Sequence, residues 1–160
     1  METEQFVFFY GGVFSQWYKH DTEIEGTVFN CAEQFMMSMK ALRFHDFETN
    51  ELIMKSKDPK EQKALGRKVK NFDPEKWSIV ARQMVYRANI EKFSDPELKA
   101  ILLSTGDKEI VEASPYDTIW GIGLGENDPD RFDKSKWKGT NLLGIILMEV
   151  RKDLRERDRS

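Results

Sequence analysis

The sequence predicts a mainly α-helical domain with a small β element, and three observations carry that prediction. Asp-Pro pairs recur where helices would start, the segment after Pro74 repeats apolar residues at helical spacing, and only two short stretches read as strands. At 160 residues the chain is long enough to close one hydrophobic core of its own. It shows no repeat, low-complexity tract or linker, so residues 1–160 read as one domain, with a core of about 8–152 and a frayed, charged tail over 153–160.

In chain order, Phe6-Val7-Phe8-Phe9 is the first predicted strand and Cys31 to Phe44 the first predicted helix. Asp58-Pro59, Asp73-Pro74 and Asp95-Pro96 then open helices over roughly 59–69, 74–92 and 96–104. An Asp side chain accepts from unpaired first-turn amides, and Pro at the first helical position lacks only an amide that would be orphaned anyway. Glu61 adds the reciprocal arm of a capping box to Asp58. After Pro74, Trp77, Ala81, Met84 and Ala88 recur at helical intervals, flanked by Val80 and Val85. Glu109 to Ala113 is the second strand. Asp128-Pro129, inside the acidic stretch Glu126 to Asp133, predicts a turn, and a last helix runs from about Asn141 into the Arg155–Ser160 tail.

Composition bounds the function. A net charge of −3 argues against avid non-specific nucleic-acid binding and leaves a small phosphorylated ligand compatible. Cys31 is the single cysteine, which excludes an internal disulfide and suggests a reducing, cytoplasmic setting; residues 1–20 show no secretory leader. No apolar run approaches a membrane span. Cys31, His20 and His45 lack metal-ligand spacing, so neither a zinc site nor any cofactor is expected.

Three places break the ordinary pattern. On the Cys31–Phe44 helix, Glu33 and Lys40 fall about 20° apart on an otherwise apolar face, two turns from each other. Either Asn30 caps the helix with Glu33 as its reciprocal arm while Lys40 snorkels outward, or the pair grips a ligand. In the second, Glu112 through Gly125, a strand ends in a Pro turn that delivers Asp117, Trp120 and the glycines Gly121 and Gly123. That segment reads as a tryptophan packed in the core beside a bulge, or as a sugar–base site in which an indole stacks and carboxylates face the sugar. The third is Lys55 to Lys70, with six Lys and one Arg against Asp58 and Glu61: a solvated helix face, or a rim for phosphate or polynucleotide. Near the end, Asn141 either caps the last helix or sits at a helix end that holds phosphate.

Several segments in order resemble one family: Phe14-Ser15-Gln16-Trp17-Tyr18, Ala32-Glu33-Gln34-Phe35-Met36 through Lys40, Ala64-Leu65-Gly66-Arg67 and Lys92-Phe93. Leu103-Ser104-Thr105-Gly106, Val111-Glu112-Ala113 through Asp117 with Trp120-Gly121-Ile122-Gly123-Leu124, and Gly139-Thr140-Asn141-Leu142-Leu143-Gly144 through Arg151 complete the set. The whole is similar to the YbiA-like, or NADAR, family, over about residues 8–152. The resemblance implies a compact multihelical fold and a metal-independent N-glycosidase that cleaves phosphoribosylamino-pyrimidine intermediates of riboflavin synthesis or removes ADP-ribose from guanine in nucleic acid. By the same resemblance Glu33, Lys40, Glu112 and Asp117 are the expected catalytic set. Ser15, Gln16, Trp17, Gln34, Arg67, Trp120, Gly121, Gly123 and Asn141 are expected to bind substrate. Gln16 departs from the Asn common in the family.

Cleaving a ribose C1′–N bond passes through an oxocarbenium-like state, which needs nearby negative charge, a proton for the leaving nitrogen and an activated water. The expected roles are cation stabilisation by Asp117 or Glu112, proton transfer by Glu33, and stacking on Trp120. Lys40 either neutralises phosphate or attacks C1′ as a free amine. Two readings from other classes stand beside this one. They are a non-catalytic module that binds ADP-ribose or NAD, and an interaction protein whose Trp and Gly segment is core.

Overall fold

The structure is a computed structural model that describes residues 5–160. The chain forms two compact units. One is Gln16–Lys92; the other combines the described residues up to Ser15 with Phe93–Ser160. Six α-helices among the described residues, with only short strands, make the protein mainly α-helical, as predicted.

The unit Gln16–Lys92 holds β2 (Thr22–Ile24), β3 (Thr27–Phe29), α1 (Ala32–Arg43), α2 (Phe47–Lys55), α3 (Pro59–Gly66) and α4 (Pro74–Lys92). The two strands form an antiparallel hairpin turned by Glu25 and Gly26, both at positive φ. Helix α1 is central, packing on α2, α3 and α4, and Gly66 on α3 lets Met37 approach where a Cβ would collide. The core gathers Ile24, Phe29, Ala32, Phe35 and Ala88.

The Asp-Pro starts behave as predicted. Asp58 accepts from the Lys60 amide (3.0 Å), Asp73 from Glu75 (3.0 Å) and Asp95 from Glu97 and Leu98 (both 3.1 Å). The capping-box expectation for Glu61 needs correction. The Asp58 amide donates instead to Ser56 Oγ (3.2 Å), a hydroxyl already positioned two residues earlier.

The other unit contains β1 (Phe6–Phe9), α5 (Pro96–Leu103), β4 (Glu109–Glu112) and α6 (Leu142–Arg159). Strands β1 and β4 pair in parallel, Phe6 opposite Glu109 through Phe9 opposite Glu112. All four residues of β1 are buried, which explains an apolar run without alternation. Phe6, Phe8, Val111, Ala113, Ile122 and Leu124 pack together with Trp137 against them. Helix α6 packs on β4 and buries Leu143, Ile146, Leu147, Val150 and Leu154 on one stripe. The helix runs to Arg159, with Arg155 paired to Asp107 (3.0 Å) and Asp158 to Lys99 (2.5 Å). Asp128-Pro129 starts a short 3₁₀ helix, Pro129–Phe132, rather than a simple turn.

No helix among the described residues is long and apolar enough to cross a membrane.

Candidate active site

Within Gln16–Lys92 the loop after Ser15 lies along the start of α1. The N-cap of α1 is Cys31, and it makes no side-chain capping bond. The Glu33 amide, one of the donors every helix start leaves over, donates instead to the Gln16 carbonyl (3.0 Å). The Asn30 amide donates to Gln34 Oε1 (2.7 Å), so Glu33 is not the arm of a capping box. Glu33 is only 6% exposed, and its carboxylate therefore sits where an uncompensated charge would be costly.

Lys40 follows two turns along the same helix, half-buried, with Nζ 4.2 Å from the centroid of Phe72. Burial lowers its pKa below the ordinary lysine value, the Glu33 carboxylate pulls it back up, and Arg67 pushes it further down. Lys63 Nζ stands 5.9 Å over the ring of Trp17, which is 41% exposed. This unit thus brings together Gln16, Glu33, Lys40, Arg67 and Trp17: one buried carboxylate, a lysine of lowered basicity, further cations and an accessible indole.

Gln34 ties elements of this unit together. It is buried, and its Nε2 donates to the carbonyls of Ile53 (3.1 Å) and Ser56 (3.3 Å), tying α1 to the end of α2. Gln62 extends the same network, donating to Asn30 Oδ1 (3.0 Å) and the Ser56 carbonyl (2.9 Å). Sequence reasoning placed Lys63 only in the basic stretch and Lys92 only beside Phe93 among the family segments, and passed over Phe72. Lys92 ends α4, 2% exposed, with Nζ 5.4 Å from the Tyr18 ring centroid, and burial lowers its pKa to about 7. Its signal was available: a lysine on the stripe of Trp77, Ala81, Val85 and Ala88.

In the other unit, β4 delivers Glu112 and a tight loop follows. Ser114 Oγ accepts from the amides of Tyr116 (3.3 Å) and Asp117 (3.2 Å). Asp117 Oδ1 accepts from the amides of Ile119 (2.9 Å) and Trp120 (2.8 Å), so this carboxylate orders the turn that presents the partly exposed Trp120. A Cβ on Gly121 would stand 2.8 Å from Glu112 Oε2; the glycine lets the loop pass against that carboxylate. Gly123 adopts φ +72°, a left-handed conformation that glycine takes without strain.

Asn141 sits before α6 with φ 52°, and its side chain makes no helix cap. It is spent on β4 instead, accepting from the Glu112 amide (3.0 Å) and donating to the Ile110 carbonyl (3.0 Å). This unit therefore brings Glu112, Asp117, Trp120, Gly121 and Asn141 into one segment. Ser15 lies in the same unit, its amide on the Gly12 carbonyl (3.0 Å).

Residues 8–155 match the NADAR domain. An N-glycosidase of Acanthamoeba polyphaga mimivirus is 41% identical, the alignment covering 96% of this chain and 98% of the relative. An N-glycosidase of Nostoc punctiforme is 31% identical over 90% of this chain and 86% of the relative. The NMR structure of the Escherichia coli protein YbiA superposes with a TM-score of 0.81 at 26% identity, covering 100% of this chain and 90% of that one. The chain is a YbiA-like member of the NADAR family.

Proposed function

We infer that this chain, an N-glycosidase like its relatives, hydrolyses the bond between ribose C1′ and the base nitrogen of ADP-ribosylated guanine in nucleic acid. The observation that carries the reading is the face of α1. A carboxylate only 6% exposed shares its helix with a half-buried lysine of lowered basicity, in a unit that also presents Arg67 and a Lys63-covered indole. A negatively charged sugar phosphate is the ligand such a mixture suits.

In the reaction the C1′–N bond breaks and its electron pair goes to the base nitrogen, which takes a proton from Glu33. Water adds its oxygen to C1′ and gives up a proton, which returns the carboxyl to its starting state over the cycle. Lys40, whose pKa burial lowers, is the proposed nucleophile of a covalent route in which its Nζ bonds to C1′ before water releases the sugar. Trp17 and Arg67 are the proposed ligand contacts in the same unit. Glu112, Asp117 and Trp120, with Ser15 and Asn141, enter the proposal on the family resemblance. The single NADAR match runs through both units, which supports treating them as one functional domain. A lone, buried Cys31 suits a reducing, cytoplasmic setting.

The preference for a nucleic-acid-linked substrate rests on the stretch Lys55 to Lys70. Lys55, Lys57, Lys60, Arg67, Lys68 and Lys70 are all exposed, a surface that a polynucleotide backbone would use and a free metabolite would not. The test is direct incubation with guanine-ADP-ribosylated DNA and, separately, with a phosphoribosylamino-pyrimidine, following release of base and sugar by mass spectrometry. Cleavage of the DNA adduct supports the proposal, and cleavage of the pyrimidine alone moves the substrate to the free metabolite. Binding of ADP-ribose without any bond cleavage would make the chain a binding module. Glu33→Ala and Asp117→Ala should each abolish base release while keeping the native circular dichroism spectrum. Near-normal turnover in both refutes the assigned roles.

A further inference from the structure

Asn89 lies on α4, fully buried at 0% exposure, in a position where an apolar residue would be ordinary. Its Nδ2 donates twice, to the Val85 carbonyl (2.8 Å) and to Gln16 Oε1 (2.9 Å). Those two bonds set the orientation of both amides. The Val85 carbonyl accepts only, so it must face the Asn89 nitrogen; that nitrogen in turn requires the oxygen of Gln16.

The arrangement leaves two buried atoms without a hydrogen-bond partner, Asn89 Oδ1 and Gln16 Nε2. Buried polar groups are rarely left so, because each forfeits its hydration. Replacing both amides by apolar side chains of the same shape would be nearly neutral or stabilising, so stability alone does not explain the pair.

Gln16 supplies the carbonyl that accepts from the Glu33 amide (3.0 Å) at a helix start with no side-chain cap. Its side chain is held from α4 and its main chain holds the first turn of α1. A continuous series of hydrogen bonds thus runs from Val85 through Asn89 and Gln16 to the residue that carries the buried carboxylate.

We propose that Asn89 is a positioning residue for the reaction, acting through Gln16 to fix the turn of α1 that presents Glu33. The proposal rests on Glu33 being the proton-transfer group. Losing the side-chain bond lets residue 16 shift, and a displacement of reacting groups on the order of 1 Å can cost ~100-fold in rate.

The experiment measures kcat and KM per folded molecule on guanine-ADP-ribosylated DNA for Asn89→Ala, Gln16→Met, the double variant and Glu33→Gln, with urea unfolding of each. The expected result is a loss in kcat of about 10-fold or more for either single variant, with KM of Asn89→Ala within about 2-fold of the wild type. The double variant should lose no more than Gln16→Met alone, because Asn89 acts only through Gln16. Gln16→Met stands in if Asn89→Ala fails to fold, since residue 16 lies on a partly exposed loop. Multiplicative losses in the double variant, or lower unfolding midpoints with unchanged kcat, overturn the proposal and make the pair merely structural. Full activity of Glu33→Gln overturns the functional reading on which it rests. An inactive Glu33→Gln beside fully active Asn89 and Gln16 variants overturns this inference alone.

Discussion

Replacing Lys92 with methionine should stabilise the protein at low pH and flatten the rise of its stability between about pH 7 and 9. Lys92 is 2% exposed, and burial lowers its pKa from the ordinary 10.5 to about 7, opposed by Cys31. Between those values the unfolded chain binds the lysine proton and the folded chain does not. Unfolding therefore takes up a proton, and stability increases with pH across the window. At ~1.4 kcal/mol per pH unit, the full interval from about 7 to 10.5 corresponds to roughly 5 kcal/mol as an upper bound.

Cys31 cuts that interval short. Burial pushes its thiol from 9.0 to about 11, so between those values the unfolded chain releases a proton that the folded chain keeps. The two opposite slopes offset each other above about pH 9, leaving a rise of roughly 3 kcal/mol between about pH 7 and 9. Methionine keeps the unbranched stem and carries no charge, so the penalty of burying an ammonium below about pH 7 disappears. Urea unfolding followed by tryptophan fluorescence at about pH 6, 7, 8 and 9, for wild type and variant, measures the difference directly. A Lys92→Met protein with the wild-type slope, or with lower stability than wild type near pH 6, would refute the reasoning.

Four more outcomes are expected. Borohydride added during turnover should trap a sugar on Lys40, detected as a peptide mass shift, and Lys40→Arg should abolish the trap; an active enzyme that never traps argues against the covalent route. Asn141→Ala should destabilise by about 2–4 kcal/mol in urea unfolding, because it orphans the Glu112 amide and the Ile110 carbonyl and forces alanine into φ 52°. Gly121→Ala should cost about 1–3 kcal/mol, its Cβ meeting Glu112 Oε2 at 2.8 Å and the Asp117 carbonyl at 3.1 Å, read as a fall in Tm. Asp46 accepts from Thr49 N (3.1 Å), Thr49 Oγ1 (2.7 Å) and Lys70 N (2.9 Å), bonds that lower its pKa, the Lys70 amide most. Asp46→Ala should thus lose about 1–2 kcal/mol at neutral pH, and the gap should close in acid as the wild-type carboxylate protonates.

Where a boundary has a local chemical cause, the sequence alone located it. Asp73-Pro74 placed the start of α4 at its observed residue, and β1 was legible because Phe6 to Phe9 is apolar at every position. Helix α2 was missed because its capping residue, Asp46, is followed by no proline and because Phe47 and Leu52 are exposed at 61% and 49%. The hairpin of β2 and β3 was missed because each strand is three residues long and its turn places Glu25, not Asn or Asp, at positive φ. In the candidate site, the unusual placement of Glu33 and Lys40 on an apolar helix face was legible from spacing. The job of Gln34 was not: its hydrogen bonds reach residues about 20 positions away, a relation no local pattern encodes. Nor was Asn89, a polar side chain on the stripe that otherwise read as core.

The parallel pairing of Phe6–Phe9 with Glu109–Glu112 has a consequence for biosynthesis. The first strand leaves the ribosome roughly 100 residues before the segment that will hydrogen-bond to it, several seconds or more at ordinary elongation speeds. Gln16–Lys92, contiguous in sequence, can finish collapsing in that interval. Phe6-Val7-Phe8-Phe9 meanwhile waits as four bare apolar residues with an unsatisfied edge, the kind of segment that chaperones bind and that nucleates aggregates when synthesis stalls.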